Sequence, residues 1–552
     1  MNAIPTKPAV AATRPAATRP AATRPAATGG CDIQGAFGTI ARRGQSRSGW
    51  RYRLRTLLAI LGPGLIVMVG DNDAGAFATY TQAGQNHGTA LMWTLLLLVP
   101  VLYANQEMVL RLGAVTGVGY ARLLLARFGR FWGLFTVLGM IALNGLTVVT
   151  EFIGISLALD HLGIARVWGV LIAAVLTIIA ASTGDFRRFE RFAMMLVLGS
   201  LLLVPVFVAV HPPLLQVAHD LVVPQIPAGR MSDIVLLVIA IVGTTVAPWQ
   251  LFFQQSYVID KRITARFIPY EKIDLWLGIV IVIIGAVAMM GFAAATFAGK
   301  PEFGRFTDVG GVAAGLAAYV GPVPGVLFAI ALIDASMIGT AAVALSTAYA
   351  VGDLLAVTHS LHRTPGQSRS FTLIYAGLIA ASAVLVLIPG SPLGLITVGV
   401  QTLAGVLLPS ATVFLLLLCN DRAVLGPWVN GLWLNLFTSA VIALLVLLSV
   451  ILTGSVLFPD LSDGAMLAIL AGGLVIALAG LGVLVVSGLR APARPRLSRA
   501  RMAAWRMPAL ESLPPADRGG ASRVWMGVMW LYLLLACAMV VLRVVQLALG
   551  GG

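Results

Sequence analysis

Apolar stretches long enough to cross a lipid bilayer recur along this chain, separated by short polar loops. A hydrocarbon core of roughly 30 Å needs about 20 apolar residues in helical form. Stretches of that kind are read at 56–84, 89–112, 131–157, 166–183, 191–211, 233–258, 274–298, 321–354, 371–389, 395–418, 429–453, 464–488 and 523–547. A soluble fold has no place for them, because one core buries only part of such surface and the rest must meet water. Composition agrees: 59% of the residues are apolar and 11% charged, against about half and about a quarter in soluble domains. Backbone groups in lipid must be satisfied internally. The expected class is therefore an all-α integral membrane protein of thirteen spans.

The formal charge of +15 would raise nucleic acid as a partner in a soluble protein. Here the cations sit in loops and orient the chain. Loops after even-numbered spans carry Arg122, Arg127, Arg130, Arg187, Arg188, Arg191, Lys261, Arg262, Arg266, Lys272, Arg363, Arg369 and Arg422, and the loop after span 12 adds eight more from Arg490 to Arg523. Loops after odd-numbered spans carry only Arg166, Arg230, Lys300 and Arg305. The positive-inside rule then places the N-terminus and the even loops in the cytoplasm. The expected setting is a multi-pass protein of a bacterial inner (plasma) membrane, with the lipid bilayer as its partner, no nucleic acid and no obligate protein partner evident.

Residues 1–50 contain the repeat Ala-Ala-Thr-Arg-Pro from Ala11 onward. Such a segment buries no apolar surface and is expected to be a disordered cytoplasmic tail. It has no apolar core followed by a cleavage site, so it is not read as a signal peptide. Residues 51–455 form the expected core, and 456–552 add two spans joined by an Arg- and Pro-rich loop at 489–522, read as irregular. Cys31, Cys419 and Cys537 suggest neither a disulfide framework nor a Cys/His metal cluster.

Two spans are not ordinary helices. Span 1 contains Gly70-Asp71-Asn72-Asp73-Ala74-Gly75, two carboxylates in mid-span bracketed by glycines. A charge at the bilayer centre costs about 2.5–3.5 kcal/mol on insertion scales, so something is expected to bind there. In an unbroken helix Asp71 and Asp73 would point to different faces; unwound backbone removes that restriction and frees carbonyl oxygens. Span 6 contains Gly243-Thr244-Thr245-Val246-Ala247-Pro248-Trp249-Gln250. Its proline removes a backbone donor and clashes with the preceding turn, although a simple proline kink is also ordinary. Spans 1 and 6 are five apart and enter from opposite sides. That is the pattern of an inverted repeat of five plus five spans, whose interrupted helices flank a site at mid-bilayer.

These residues resemble a known family. Gly62-Pro63-Gly64, Asp73-Ala74-Gly75-Ala76-Phe77-Ala78-Thr79 and Gln82-Ala83-Gly84 look like the first span of NRAMP divalent-metal transporters. The resemblance continues through Gln106, Arg111 to Gly117, Glu151-Phe152-Ile153-Gly154, Pro248, Leu251, Gln401 and Leu408-Pro409, and covers roughly 55 to 455. It implies a LeuT-type inverted-repeat fold with discontinuous spans 1 and 6, and secondary transport of a divalent metal ion by alternating access.

The departures carry chemistry. The family's metal-binding Asp-Pro-Gly-Asn stands here as Asp73-Ala74-Gly75-Ala76, and its Met-Pro-His-Asn as Ala247-Pro248-Trp249-Gln250. The family's acid three residues before Glu151 is Val148. A thioether favours softer transition metals; carboxylate, carbonyl and water favour Mg²⁺, Ca²⁺ and Mn²⁺. Loss of the sulfur and gain of Asp71 make a harder site, and Ala76 and Ala247 leave room for an ion that keeps its water. In this the chain is similar to NRAMP-related magnesium transporters. The expected cation shell is Asp73, Asp71, Asn72, Thr244, Ala247, Gln250 and Gln401, with Glu151 and Asp334 on a proton or cation path and Trp249 as a cavity wall. The metal is substrate, and no permanently bound cofactor is expected.

Rival readings stay open for several positions. Asp334 in span 8 is a path carboxylate or an acid paired to a neighbouring helix. Gln401 is a ligand or an interhelical hydrogen-bonder. Glu107 is read as a helix-end salt bridge to Arg111, and His87 and His161 as interfacial. Other functions also remain: a proton-coupled Mn²⁺/Fe²⁺ symporter, or an amino-acid transporter on the same fold. An enzyme is not expected, because no His-Glu-x-x-His helix or nucleophile–base pair appears.

Overall fold

The computed structural model describes residues 32–41, 49–227, 231–388, 400, 409–458, 463–490, 498–516 and 522–535. Nearly all of them are helical. The first apolar stretch is three helices, α1 (Trp50–Ile60), α2 (Pro63–Val69) and α3 (Ala74–His87). Next come α4 (Trp93–Thr116), α5 (Tyr120–His161), α6 (Arg166–Ala181), α7 (Phe186–Gly199), α8 (Leu203–Val210) and the short α9 (Leu214–Val222). The sixth stretch is again split, into α10 (Met231–Thr245) and α11 (Pro248–Asp260). Then follow α12 (Ile268–Phe297), α13 (Val309–Tyr319), α14 (Pro322–Leu354) and α15 (Arg369–Leu387). Within the described residues, stretch ten is α16 (Pro409–Asn420). After the single turn α17 (Arg422–Leu425) come α18 (Leu432–Leu457), α19 (Asp463–Arg490), the short α20 (Arg499–Ala504) and α21 (Ser522–Leu535).

Among the described residues nine helices are long and apolar enough to cross a bilayer, ten if the bent pair α1–α2 counts as one. The remaining expected stretches carry the shorter apolar helices α6, α16 and α21. Exposed Leu171, Ile172, Val175, Leu176 and Ile179 on α6 fit a lipid-facing surface.

Packing follows the repeat. Span 3 (α5) runs along span 8 (α14), the third member of each half, and span 7 (α12) lies against span 2 (α4) and against both α2 and α3. The broken spans sit between these pairs, with α11 packed on α4 and α14. The chain is thus a mostly helical membrane fold of the inverted-repeat type, with both discontinuous spans in place.

The connection from α1 to α2 turns by 47° at Gly62, whose φ of +149° suits glycine alone. A side chain there would also meet Lys261 Nζ at 3.1 Å. Two polar clusters hold the ends of these helices. Lys261, Arg187 and the chain around residue 60 gather at one end. Thr89, Asp220 and Gln225 gather elsewhere, with Asp220 accepting from Thr89 Oγ1 at 2.5 Å and Gln225 Nε2 at 2.6 Å.

Two expectations need correction. Residues 32–41, assigned to a disordered tail, form an antiparallel hairpin of β1 (Asp32–Gly35) and β2 (Gly38–Ala41). Ile33 opposite Ile40 gives it an apolar face, and both are buried against the protein. The rest of 1–50 below residue 32 lies outside the described residues. Residues 498–516, read as irregular, include α20 and a 3-10 turn at Leu510–Ser512. Met502 O accepts from Trp428 Nε1 at 2.9 Å, and Pro514 O from Arg127 Nη1 at 2.6 Å, so this segment is held to the core.

Candidate cation site

Span 1 breaks where its side chains become polar. Asp71 and Asn72 N–H groups bond back only three residues, to Met68 and Val69 carbonyls at 3.2 and 3.1 Å, because Asp and Asn side chains compete with helical backbone. Asp73 is then extended, with φ −77° and ψ −176°, and starts α3 as its N-cap. Its Oδ1 accepts from Ala76 N–H at 2.9 Å. Glu151 of α5 reaches the same helix end, its Oε2 accepting from Ala74 N–H at 3.1 Å. The Asp73 and Glu151 carboxyls thus accept from N–H groups two residues apart in the first turn of α3. Two acids therefore share the positive end of the α3 dipole. A Cβ at Gly339 of α14 would come 2.9 Å from Glu151 Oε1 and 3.1 Å from Asp73 Cβ, so the pair packs against bare backbone.

Span 6 breaks at Val246 and Ala247. Ala247 has β-region angles and offers no capping side chain, and Pro248 opens α11 at the position where its missing N–H costs nothing. Gln250, one turn on, joins the two breaks. Its Nε2 donates to Asp71 Oδ1, and its Oε1 accepts from Gln106 Nε2 of α4 at 2.8 Å. Thr245 gives its hydroxyl proton to Ile241 O at 2.5 Å, so Tyr80 of α3 is the donor in its 2.7 Å contact with Thr245 Oγ1.

Asp71, Asn72, Asp73 and Glu151 are buried, none more than 6% exposed. Asp71 Oδ2, Asn72 Oδ1 and Glu151 Oε1 accept no hydrogen bond. Among the described residues no Lys, Arg or His pairs with Asp71, Asp73 or Glu151, and no three His, Cys, Asp or Glu are arranged to hold a metal alone. The arrangement is a surplus of buried oxygen acceptors. Such a set suits a hard cation held by carboxylate together with amide or carbonyl oxygen.

The sequence-derived residues fall out as follows. Asp71, Asp73, Glu151 and Gln250 are brought together. Asn72 is adjacent but turns its amide to α12, donating to Val282 O at 3.1 Å. Thr244 is buried, yet the hydroxyl contact to span 1 comes from Thr245. Ala247 lies in the span 6 break itself. Trp249 is buried, with its ring edge 3.6 Å from where a Cβ on Gly70 would stand. Asp334 is not part of the group: it faces Gly199 of α7, and its Oδ2 has no partner. Gln401 lies outside the described residues. Glu107 pairs with Arg111 at 3.2 Å and also with Lys272 at 3.0 Å. Sequence reasoning missed Tyr80 and Thr245. Tyr80 had a signal, since it stands seven residues after Asp73 and so on the same helix face.

Comparisons with known proteins bear on this site. Residues 64–455 match the family described as natural resistance-associated macrophage protein-like, Nramp. A divalent metal cation transporter MntH of Latilactobacillus sakei is 27% identical over 439 residues, covering 72% of this chain and 89% of the relative. The MntH of Xylella fastidiosa is 28% identical, covering 75% and 87%. Among solved structures, a manganese transporter of Eremococcus coleocola superposes with a TM-score of 0.62 at 20% identity, over 81% of this chain and 97% of that one. A Na⁺-coupled sialic acid symporter superposes at 0.51 and 16%, over 79% and 91%; both likenesses concern the fold. With a family match across most of its length, and both broken spans lying within the matched residues, the chain belongs to the Nramp family.

Proposed function

We propose that the chain is a secondary transporter of a divalent metal cation, Mg²⁺ or Mn²⁺ in preference to Fe²⁺, working by alternating access around Asp71 and Asp73. The observation that carries this reading is the surplus of buried acceptor oxygens between two broken spans, with no basic side chain among the described residues to neutralise it. Relatives named divalent metal cation transporters, and a fold neighbour named a manganese transporter, support the substrate class. The ligand chemistry supports the preference within it. Neither thioether nor imidazole stands at Ala247 or Trp249, and oxygen ligands favour the harder ions. The setting is a multi-span protein with its N-terminus cytoplasmic, as loop charge indicates.

A flux panel in liposomes across Mg²⁺, Mn²⁺, Fe²⁺, Cd²⁺, Ca²⁺ and amino acids tests the reading. Uptake of Mg²⁺ or Mn²⁺ is expected. Strong Fe²⁺ or Cd²⁺ uptake without either overturns the cation preference, and amino-acid uptake alone overturns the class. One observation favours a second reading, a proton-coupled Mn²⁺/Fe²⁺ symporter: Asp73 and Glu151 converge on the first turn of α3 and on Gly339, as two acids that pass a proton would. Acidification of the liposome lumen in step with cation uptake would select it. Weak or absent coupling is expected, because Val148 and Trp249 replace the other groups by which the family handles protons.

A further inference from the structure

The hairpin β1–β2 lies before residue 64, outside the part of the chain that matches the family, and the cation site makes no use of it. Its seat is nonetheless specific. Gly35 lies so close to α1 that a Cβ would fall on the Ala59 carbonyl oxygen. Ile33, Ala36 and Ile40 are buried. At the hairpin turn the Ala36 N–H donates to Glu190 Oε2 of α7 at 2.5 Å. Arg187 of α7 donates to Gly35 O at 3.2 Å and to Thr39 Oγ1 at 2.5 Å. The other oxygen of Glu190 holds Lys261 at 2.6 Å, both side chains being wholly buried. Lys261 Nζ in turn donates to Ile60 O and Leu61 O at 2.7 and 2.8 Å, where α1 ends. One connected network thus joins the hairpin, α1, α7 and the chain just after α11.

We propose that the hairpin is a lock on the cytoplasmic side, holding the inner half of span 1 against span 5 and so keeping the inner path to Asp71 and Asp73 closed. The inference rests on the alternating-access reading, in which one group of helices rocks against the other around the site. A segment bound to α1 alone would travel with it, and one bound to α7 alone would leave α1 free. This one grips both. The natural pivot is Gly62, where α1 and α2 already meet at 47°. Swinging α1 away breaks the charge-assisted bond from Ala36 to Glu190 or lifts Gly35 off Ala59. Loss of one such bond shifts a two-state equilibrium by about tenfold or more.

The test uses the full chain in lipid nanodiscs without divalent cation, and two variants. Ala36→Pro removes the donor, at a turn residue that is not among those with positive φ. Gly35→Val forces a side chain onto Ala59. Hydrogen–deuterium exchange over residues 50–62 is expected to quicken about tenfold in both, with α5 and α14 unchanged, and cation flux in liposomes to rise. Unchanged exchange in α1, or equal quickening through α5 and α14, overturns the lock. Absence of flux in the unmodified chain instead overturns the transport reading, since the exchange measurement needs no cargo.

Discussion

Two buried groups of three carboxylates stand at different levels of this molecule, and they differ chiefly by one lysine. The mid-span group is Asp71, Asp73 and Glu151; the other is Glu190, Glu271 and Asp274, beside Lys261. Both use an acid to cap a half-helix of span 1. Asp73 caps α3, and Asp274 accepts from Gly62 and Gly64 N–H at 3.0 and 2.5 Å at the start of α2. In the second group Lys261 bonds Glu190 and two carbonyls, though Glu271 has no hydrogen bond. In the first group no described residue supplies a cation. Where the cation is built in, the cluster is a fixed joint; where it is left out, the proposed function has the charge arrive as cargo. A third acid lies between these cases. Asp353 stands 3.4 Å from His359 in the loop after α14, a partner whose charge pH can remove.

That contrast can be broken in four ways, taken from the largest expected effect down. Lys261→Met strips the built-in cation and leaves buried acids unpaired, which costs about 3–5 kcal/mol and should appear as a much lower melting temperature. Asp73→Asn keeps a good N-cap but removes charge, so flux should fall by about 100-fold or more with the melting temperature nearly unchanged. A loss of stability equal to that of Lys261→Met would erase the distinction between joint and cargo site. Gly339→Ala sets a methyl against Glu151 and Asp73 and should slow flux about tenfold, at about 1–3 kcal/mol of overpacking.

The smallest effect concerns His359. Burial works against its charge, but the Asp353 contact outweighs that and holds its pKa above the ordinary histidine value. Its stabilisation is therefore full below about pH 6.5 and fades as pH rises through the raised value. In His359→Gln the melting temperature should lose that pH dependence, worth under about 1 kcal/mol for a partly exposed pair. A slope that survives the substitution would assign the pH response elsewhere.

The span 1 break was legible because three consecutive polar residues inside an apolar stretch are costly unless something binds them, and the five-span spacing to the span 6 break gave the repeat that the resemblance then matched. The lower cluster was not legible. Lys261 reads from sequence as one more loop charge, yet it is wholly buried; the sign of a residue indicates the side of the membrane, not contact with water. Glu190 and Asp274 likewise gave no pattern, because residues more than 80 positions apart meet only through packing. The hairpin escaped for a different reason. Strands of four residues, with Ile33 and Ile40 as their apolar anchors, are too short for periodicity to register.

The carboxyl of Asp73 begins a helix and, on the proposed function, also serves the cation, and that double duty limits how this protein's ion preference can drift. Exchanging it for a soft ligand such as methionine would spoil the first turn of α3 along with the binding of the ion. Ala76 and Ala247 carry no capping side chain, so a ligand placed there removes no existing cap. Changes of selectivity among relatives of this chain should therefore accumulate at the two alanines, while the aspartate stays.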